Sequence, residues 1–108
     1  MTRVTVLYPA GEGRTFDMDY YLKTHIPLFQ QRLGAAMKSV SVERGLSGGM
    51  PGSPAPFVAI VQGTFESPEA FATAFAPHAA EIQGDIPNYT NIQPIVQISE
   101  VIASVPQK

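Results

Sequence analysis

"FVAIVQGTFESPEAFATAF", residues 57–75, holds a strand, a cap and a helix in one run. From Phe57 to Phe65 the residues are largely β-branched and aromatic, the composition of a strand. Successive side chains on a strand point to opposite faces. Phe57, Ala59 and Val61 therefore share one face, and Val58 and Ile60 share the other. Ser67 then stands where a helix cap belongs, with Pro68 at the first helical position. Phe71 and Phe75 are four apart and share a helix face. Pro77 has no N–H to continue the ladder, so the spacing predicts a break there and a short second helix from Pro77 to about Gln83.

Working outward, "RVTVLY", 3–8, is a first strand with Val4, Val6 and Tyr8 on one face. "PAGEGRT" is a turn-rich connection, and Thr15 or Asp17 can cap the helix that follows, from about Asp17 to Leu33. Gly34 stops that helix. "MKSVSVERGL", 37–46, alternates as a second strand. Residues 45–56 hold four Gly and three Pro and read as a hairpin loop. Their glycines are not a phosphate cradle, since the Gly-Lys-Ser/Thr ending is missing and no helix follows. Residues 84–94 read as loop, and "IVQISEVIA", 95–103, as a fourth strand.

The order strand–helix–strand, strand–helix–strand suits a ferredoxin-like α+β unit: a four-stranded, largely antiparallel sheet with both helices on one face. Val96, Ile98 and Ile102 oppose Ile95 and Val101 in the last strand. Strands apolar on both sides are usually covered on both sides, and the helices cover one. A second copy is the economical cover for the other. The expected interface groups Val58 and Ile60 with Val96 and Ile98 in a homodimer joined through sheet faces.

Composition narrows the chemistry. The chain has 108 residues, the length of one domain. Net charge is −2 and the seven Lys and Arg are scattered singly, so the footprint of a nucleic-acid binder is missing. No apolar run approaches the ~18 residues that suggest a spanning helix. The chain has no cysteine, which excludes disulfides, thiolate catalysis and Cys-ligated metals. "MTRVTVLYP" does not read as a secretory signal, and a cytoplasmic location is the expectation. Neither a nucleophile elbow nor a Gly-x-Gly-x-x-Gly fingerprint occurs.

One residue stands out within "DYYLKTHIPL", 19–28. At ~100° per residue, Met18, Tyr21, Phe29 and Arg32 fall within roughly 40° of His25, with Leu22 and Leu28 within about 60°. His25 thus points toward the sheet from the middle of an apolar stripe, while Tyr20 and Lys23 point away. Pro27 lacks an N–H, so the carbonyl of Lys23 loses its usual partner and the helix should kink beside His25. Two readings follow. His25 is a buried imidazole tied to a carbonyl or to Tyr21, or it is the proton-exchanging group of a cavity between helix and sheet. In the second reading Tyr21, Phe29, Phe65, Phe75 and Tyr89 line the cavity. Two histidines alone make a poor metal site, and Asp17, Asp19, Glu81 and Asp85 read as helix-end, solvated carboxylates.

Three stretches resemble the EthD family of the dimeric α/β-barrel superfamily: "TVLYP", 5–9; "FDMDYYLKTHIPL", 16–28, with its Tyr-Tyr pair followed by His-x-Pro-Leu; and "DIPNYTNIQPIVQISEV", 85–101. The resemblance implies one EthD-like, ferredoxin-fold domain over 1–108, with two βαββαβ protomers pairing their sheets into a barrel. It also implies work on small organic molecules. The family is named for a bacterial operon that breaks down ethyl tert-butyl ether, and fungal relatives look like dehydratases or decarboxylases of polyketide aromatics. Carried over by residue, only His25 falls on a motif position with plausible chemistry. Three functions follow. The first is a cofactor-free enzyme on a small, largely apolar, oxygen-bearing compound, with His25 as general acid or base and Tyr21 or Tyr89 donating to an oxyanion. The second is a non-catalytic binding or accessory protein using the same cavity. The third, haem or metal ligation by His25, lacks a visible second ligand.

Overall fold

The computed structural model describes residues 1–107. Its regular elements are β1 (Thr2–Pro9), α1 (Met18–Tyr20), a π-helical segment (Tyr21–His25), α2 (Ile26–Leu33), β2 (Ser39–Arg44), β3 (Phe57–Phe65), α3 (Pro68–Phe75), α4 (Ala79–Gly84) and β4 (Ile95–Glu100). Short 3₁₀ turns follow α2 at Gly34–Ala36, join α3 to α4 at Ala76–His78, and follow α4 at Ile86–Asn88. The four strands form one antiparallel sheet in the order β2-β3-β1-β4. This is the ferredoxin-like βαββαβ arrangement.

Local signals account for the element ends. Asp17 caps the first helix by accepting the N–H of Tyr20 at 3.1 Å, and Ser67 caps α3 by accepting that of Ala70 at 3.0 Å. Gly34 ends α2 at φ 57°, a left-handed value that a side chain disfavours. The second helical run breaks at Pro77 into α3, a 3₁₀ turn and α4. The first run accommodates Pro27 differently from a simple kink. Residues 21–25 widen into a π segment in which the N–H of Ile26 donates to the Tyr21 carbonyl. Such single-turn widenings recur at functional sites.

The widening also changes which side chains face inward. Leu22, which uniform helical phase places near the apolar stripe, is 46% exposed. Tyr20, expected to point away, is half-buried and its hydroxyl turns inward to Asp85. A residue added to one turn rotates its neighbours relative to a constant 100° step.

Register decides the sheet faces. Val6 pairs with Val61 and Val96, and Val4 with Gly63 and Ile98, all on the face that carries the helices. Leu7 pairs with Ile60 and Ile95 on the far face. The expected grouping of Val58 and Ile60 with Val96 and Ile98 is therefore corrected: by alternation the two pairs lie on opposite faces. Parity within one strand is legible, but which strands' parities coincide depends on pairing register.

The core has two clusters. Tyr8, Tyr21, Ile26, Ala59, Val61, Tyr89 and Ile92 form one, and Val4, Leu33, Phe65 and Ile82 form the other. The helices leave β4 uncovered: Ile95, Val96 and Ile98 are each about half exposed.

Candidate functional site

Between the two clusters lies a cavity of about 320 Å³, at the lower end of the range for small-molecule pockets. Val4, Val6, Val61 and Val96 form its sheet wall, with Phe29, Phe71, Phe75 and Ile82 at one end and Tyr8, Tyr21 and His25 at the other. No Lys, Arg, Asp or Glu belongs to this wall among the described residues. Of the residues expected to line it, Tyr21, His25, Phe29 and Phe75 do so. Phe65 lies in the second cluster, fully buried, with its ring against Phe71 at 5.1 Å. Tyr89 sits behind the wall and connects Tyr8 to His25.

His25 is 5% exposed and stacked on Tyr21, ring centroids 5.3 Å apart. Its Nδ1 lies 2.9 Å from Asp85 Oδ2. The other carboxylate oxygen of Asp85 accepts from the Tyr20 hydroxyl at 2.6 Å and from the Asn88 amide at 2.9 Å. Burial by itself would raise the Asp85 pKa, but these hydrogen bonds from Tyr20, Asn88 and His25 outweigh it and hold the carboxyl below its ordinary range. An ionised carboxylate only accepts, so Nδ1 of His25 carries hydrogen. In the neutral ring Nε2 then keeps its lone pair. Nε2 lies 3.5 Å from the Tyr89 hydroxyl, at the long limit of a hydrogen bond. Asp85, read from sequence as a solvated helix-end group, is corrected here: its side chain is only 12% exposed and orients the histidine. Nothing local to residues 84–94 marks it, because its partners Tyr20 and His25 are some sixty residues away along the chain.

Tyr8, Tyr21 and Tyr89 gather beside this pair. The hydroxyls of Tyr8 and Tyr89 are 2.8 Å apart. Burial pushes all three phenols above the ordinary tyrosine value. They stay protonated at neutral pH, and so are hydrogen-bond donors rather than bases. Tyr8 was legible as an inward residue of its strand, but nothing in the local pattern assigned it a polar partner.

Backbone clamps hold these groups together. Residues 13–17 are tied to 89–91: the N–H of Asp17 donates to the Tyr89 carbonyl at 2.8 Å, Thr15 N–H to Asn91 Oδ1 at 2.9 Å, and Asn91 Nδ2 to the Gly13 carbonyl at 3.0 Å. The start of the His25 helix is thus tied directly to the loop bearing Tyr89. Across the outside, Arg32 pairs with Glu81 at 2.8 Å, joining α2 to α4. Every buried side-chain polar atom among the described residues has a partner. No group of three or more His, Asp or Glu among them is placed to hold a metal ion, and no helix among them is long and apolar enough to cross a membrane.

Residues 10–93 match the profile of the EthD domain. A crystal structure of an EthD-like protein from Ralstonia eutropha JMP134 superposes with a TM-score of 0.91 at 45% identity, covering 96% of this chain and 94% of that one. An EthD family protein from Bacillus halodurans C-125 has the same fold at 17% identity, with a TM-score of 0.65 and coverage of 94% and 99%. So has a protein from Arabidopsis thaliana, at 18% identity and a TM-score of 0.69, covering 98% and 100%. No curated protein matches the sequence.

Proposed function

This chain belongs to the EthD domain family, and we propose that it is a cofactor-free enzyme acting on a small, largely apolar, oxygen-bearing compound, with His25 as general acid and base. The observation that carries this reading is the Asp85–His25 pair beside an apolar cavity. A merely structural histidine needs one satisfied partner. Here a partly buried carboxylate, itself held by Tyr20 and Asn88, fixes the tautomer and leaves Nε2 weakly engaged. A positioned histidine of this kind contributes ~10²–10⁴ to a rate. Tyr21, Phe29 and Phe75 supply apolar and aromatic contact for the ligand, and the tyrosine cluster supplies neutral donors. Phe65 acts from behind by supporting Phe71, and Tyr89 by holding the Tyr8 hydroxyl.

A second reading, that the cavity binds or delivers an apolar metabolite without changing it, draws on the composition of the wall, which is apolar except for Gln83 and the tyrosine and histidine residues. A thermal-shift screen of small neutral oxygenated compounds, followed by turnover assays of the best hit, separates the two. For an enzyme, His25→Ala abolishes turnover while binding persists. For a binding protein, the wild-type protein leaves the hit unchanged.

We also propose a homodimer. The half-exposed apolar residues of β4 on both sheet faces support it, as does membership of a family of the dimeric α/β-barrel type.

A further inference from the structure

We propose that Tyr8 donates the hydrogen bond that holds the substrate's oxygen, and that the substrate is a neutral, enolisable ketone with an apolar body. The inference rests on His25 as the base. Three observations lead to it. First, of the polar groups around His25, the tyrosines on the cavity wall are Tyr8 and Tyr21, while Tyr89 lies behind them. Tyr21 stacks its ring on His25 and turns its hydroxyl toward Tyr8. Second, the Tyr8 oxygen is 2.8 Å from the Tyr89 hydroxyl, much the better of the two contacts Tyr89 makes. With Tyr89 donating to Tyr8, the Tyr8 hydrogen is free for the cavity, and a bond in a chain of hydroxyls is strengthened by polarisation. Third, the single hydroxyl of Tyr89 lies against both Tyr8 and Nε2, at 2.8 and 3.5 Å, so the two groups are near neighbours at one end of the cavity. An O=C–C–H unit can bridge such a pair, with its oxygen on Tyr8 and its hydrogen at Nε2. The absence of any ionised side chain from the described wall disfavours a carboxylate or phosphate ester and favours a neutral ligand.

The step balances without a co-reactant. Nε2 takes a proton from the carbon beside the carbonyl, and the C–H bond breaks. Its electron pair forms the C=C bond, and the carbonyl π pair moves to oxygen. Tyr8 O–H stabilises the resulting oxyanion, and Asp85 faces the imidazolium at Nδ1. Return of the proton from Nε2 to carbon restores the enzyme.

2-Tetralone serves as the ketone probe, 2-naphthol as a mimic of its enol, and naphthalene as the control without oxygen. We expect the wild-type protein to exchange the α-hydrogens of 2-tetralone in D₂O, followed by NMR, and to bind 2-naphthol about tenfold or more tighter than naphthalene. Tyr8→Phe should slow exchange by about 10²–10³-fold and erase the preference for naphthol, with naphthalene affinity unchanged. Tyr89→Phe, which keeps the Tyr8 hydroxyl but removes its partner, should reduce the preference only partly, and carries the test should Tyr8→Phe fail to fold. Exchange lost in His25→Ala but retained in Tyr8→Phe overturns the role of Tyr8 and leaves His25 as base. Exchange retained in His25→Ala overturns the base as well. A wild-type protein that neither exchanges the ketone nor prefers naphthol overturns the substrate class.

Discussion

At the residue scale, Asp85 is the hinge of the site's electrostatics. It accepts from three side chains on three different segments, so its charged form is favoured in the folded state and its folded pKa is depressed. The sign follows from linkage. The stabilisation is fully present above the unfolded carboxylate pKa of about 4 and is lost as pH falls through the lower folded value. We expect thermal stability to fall below about pH 4, and Asp85→Asn to flatten that dependence. Melts of both proteins between neutral and strongly acidic pH check it. Asp85→Asn should also release the tautomer: ¹⁵N NMR of His25 is expected to show hydrogen on Nδ1 in the wild-type protein and a mixture in the variant. Tyr20→Phe removes one of the three donors while another, Asn88, remains on the same oxygen. It should lower the midpoint of a urea melt.

At the element scale, the first helical run matters most, because its π segment ends on His25. Pro27 removes a donor just past that point, and the chain responds by shifting to a longer hydrogen-bond loop rather than by ending the helix. The flanking stop is Gly34 at φ 57°. Gly34→Ala meets no neighbouring side chain, so its cost is backbone strain alone, about 1–3 kcal/mol at this φ and ψ. Ser67→Ala removes the cap of α3 and should cost ~1 kcal/mol. Chemical denaturation reads both. Neither residue belongs to the cavity wall, so ligand binding should survive in each variant.

At the scale of the whole molecule, the uncovered strand is the question. β4 is an edge strand with exposed apolar residues on both faces. Soluble chains rarely leave such an edge open. We expect light scattering to give a mass of twice 11.6 kDa at micromolar concentration, and a stable mass near that of one chain would exclude the dimer. Ile95→Asp, on the face away from the helices, should shift the protein toward single copies. Ile95 lies outside the cavity wall, so the substitution tests assembly without removing a contact from the site.

What the amino-acid sequence determined by itself was local. Alternation set all four strands, with β3 at 57–65 to the residue, and Asp17, Gly34, Ser67 and Pro77 set where helices start, stop and break. Helical phase put His25 on the buried face, and the missing donor at Pro27 marked the first helical run as irregular beside it. These follow from φ/ψ preference, missing donors and side-chain period, each legible within a few residues. What only the tertiary structure decided was everything that joins distant segments. Strand register put Val96 with Val6 and Val61 rather than with Ile60. The clamp of 13–17 on 89–91 brought Tyr89 to Tyr8 and His25. The end of α4 carried Asp85 to Nδ1 of His25. A hydrogen bond between such residues leaves no periodic trace in either segment. Its partner is chosen by how the two layers pack, and the packing depends on the whole set of apolar faces at once.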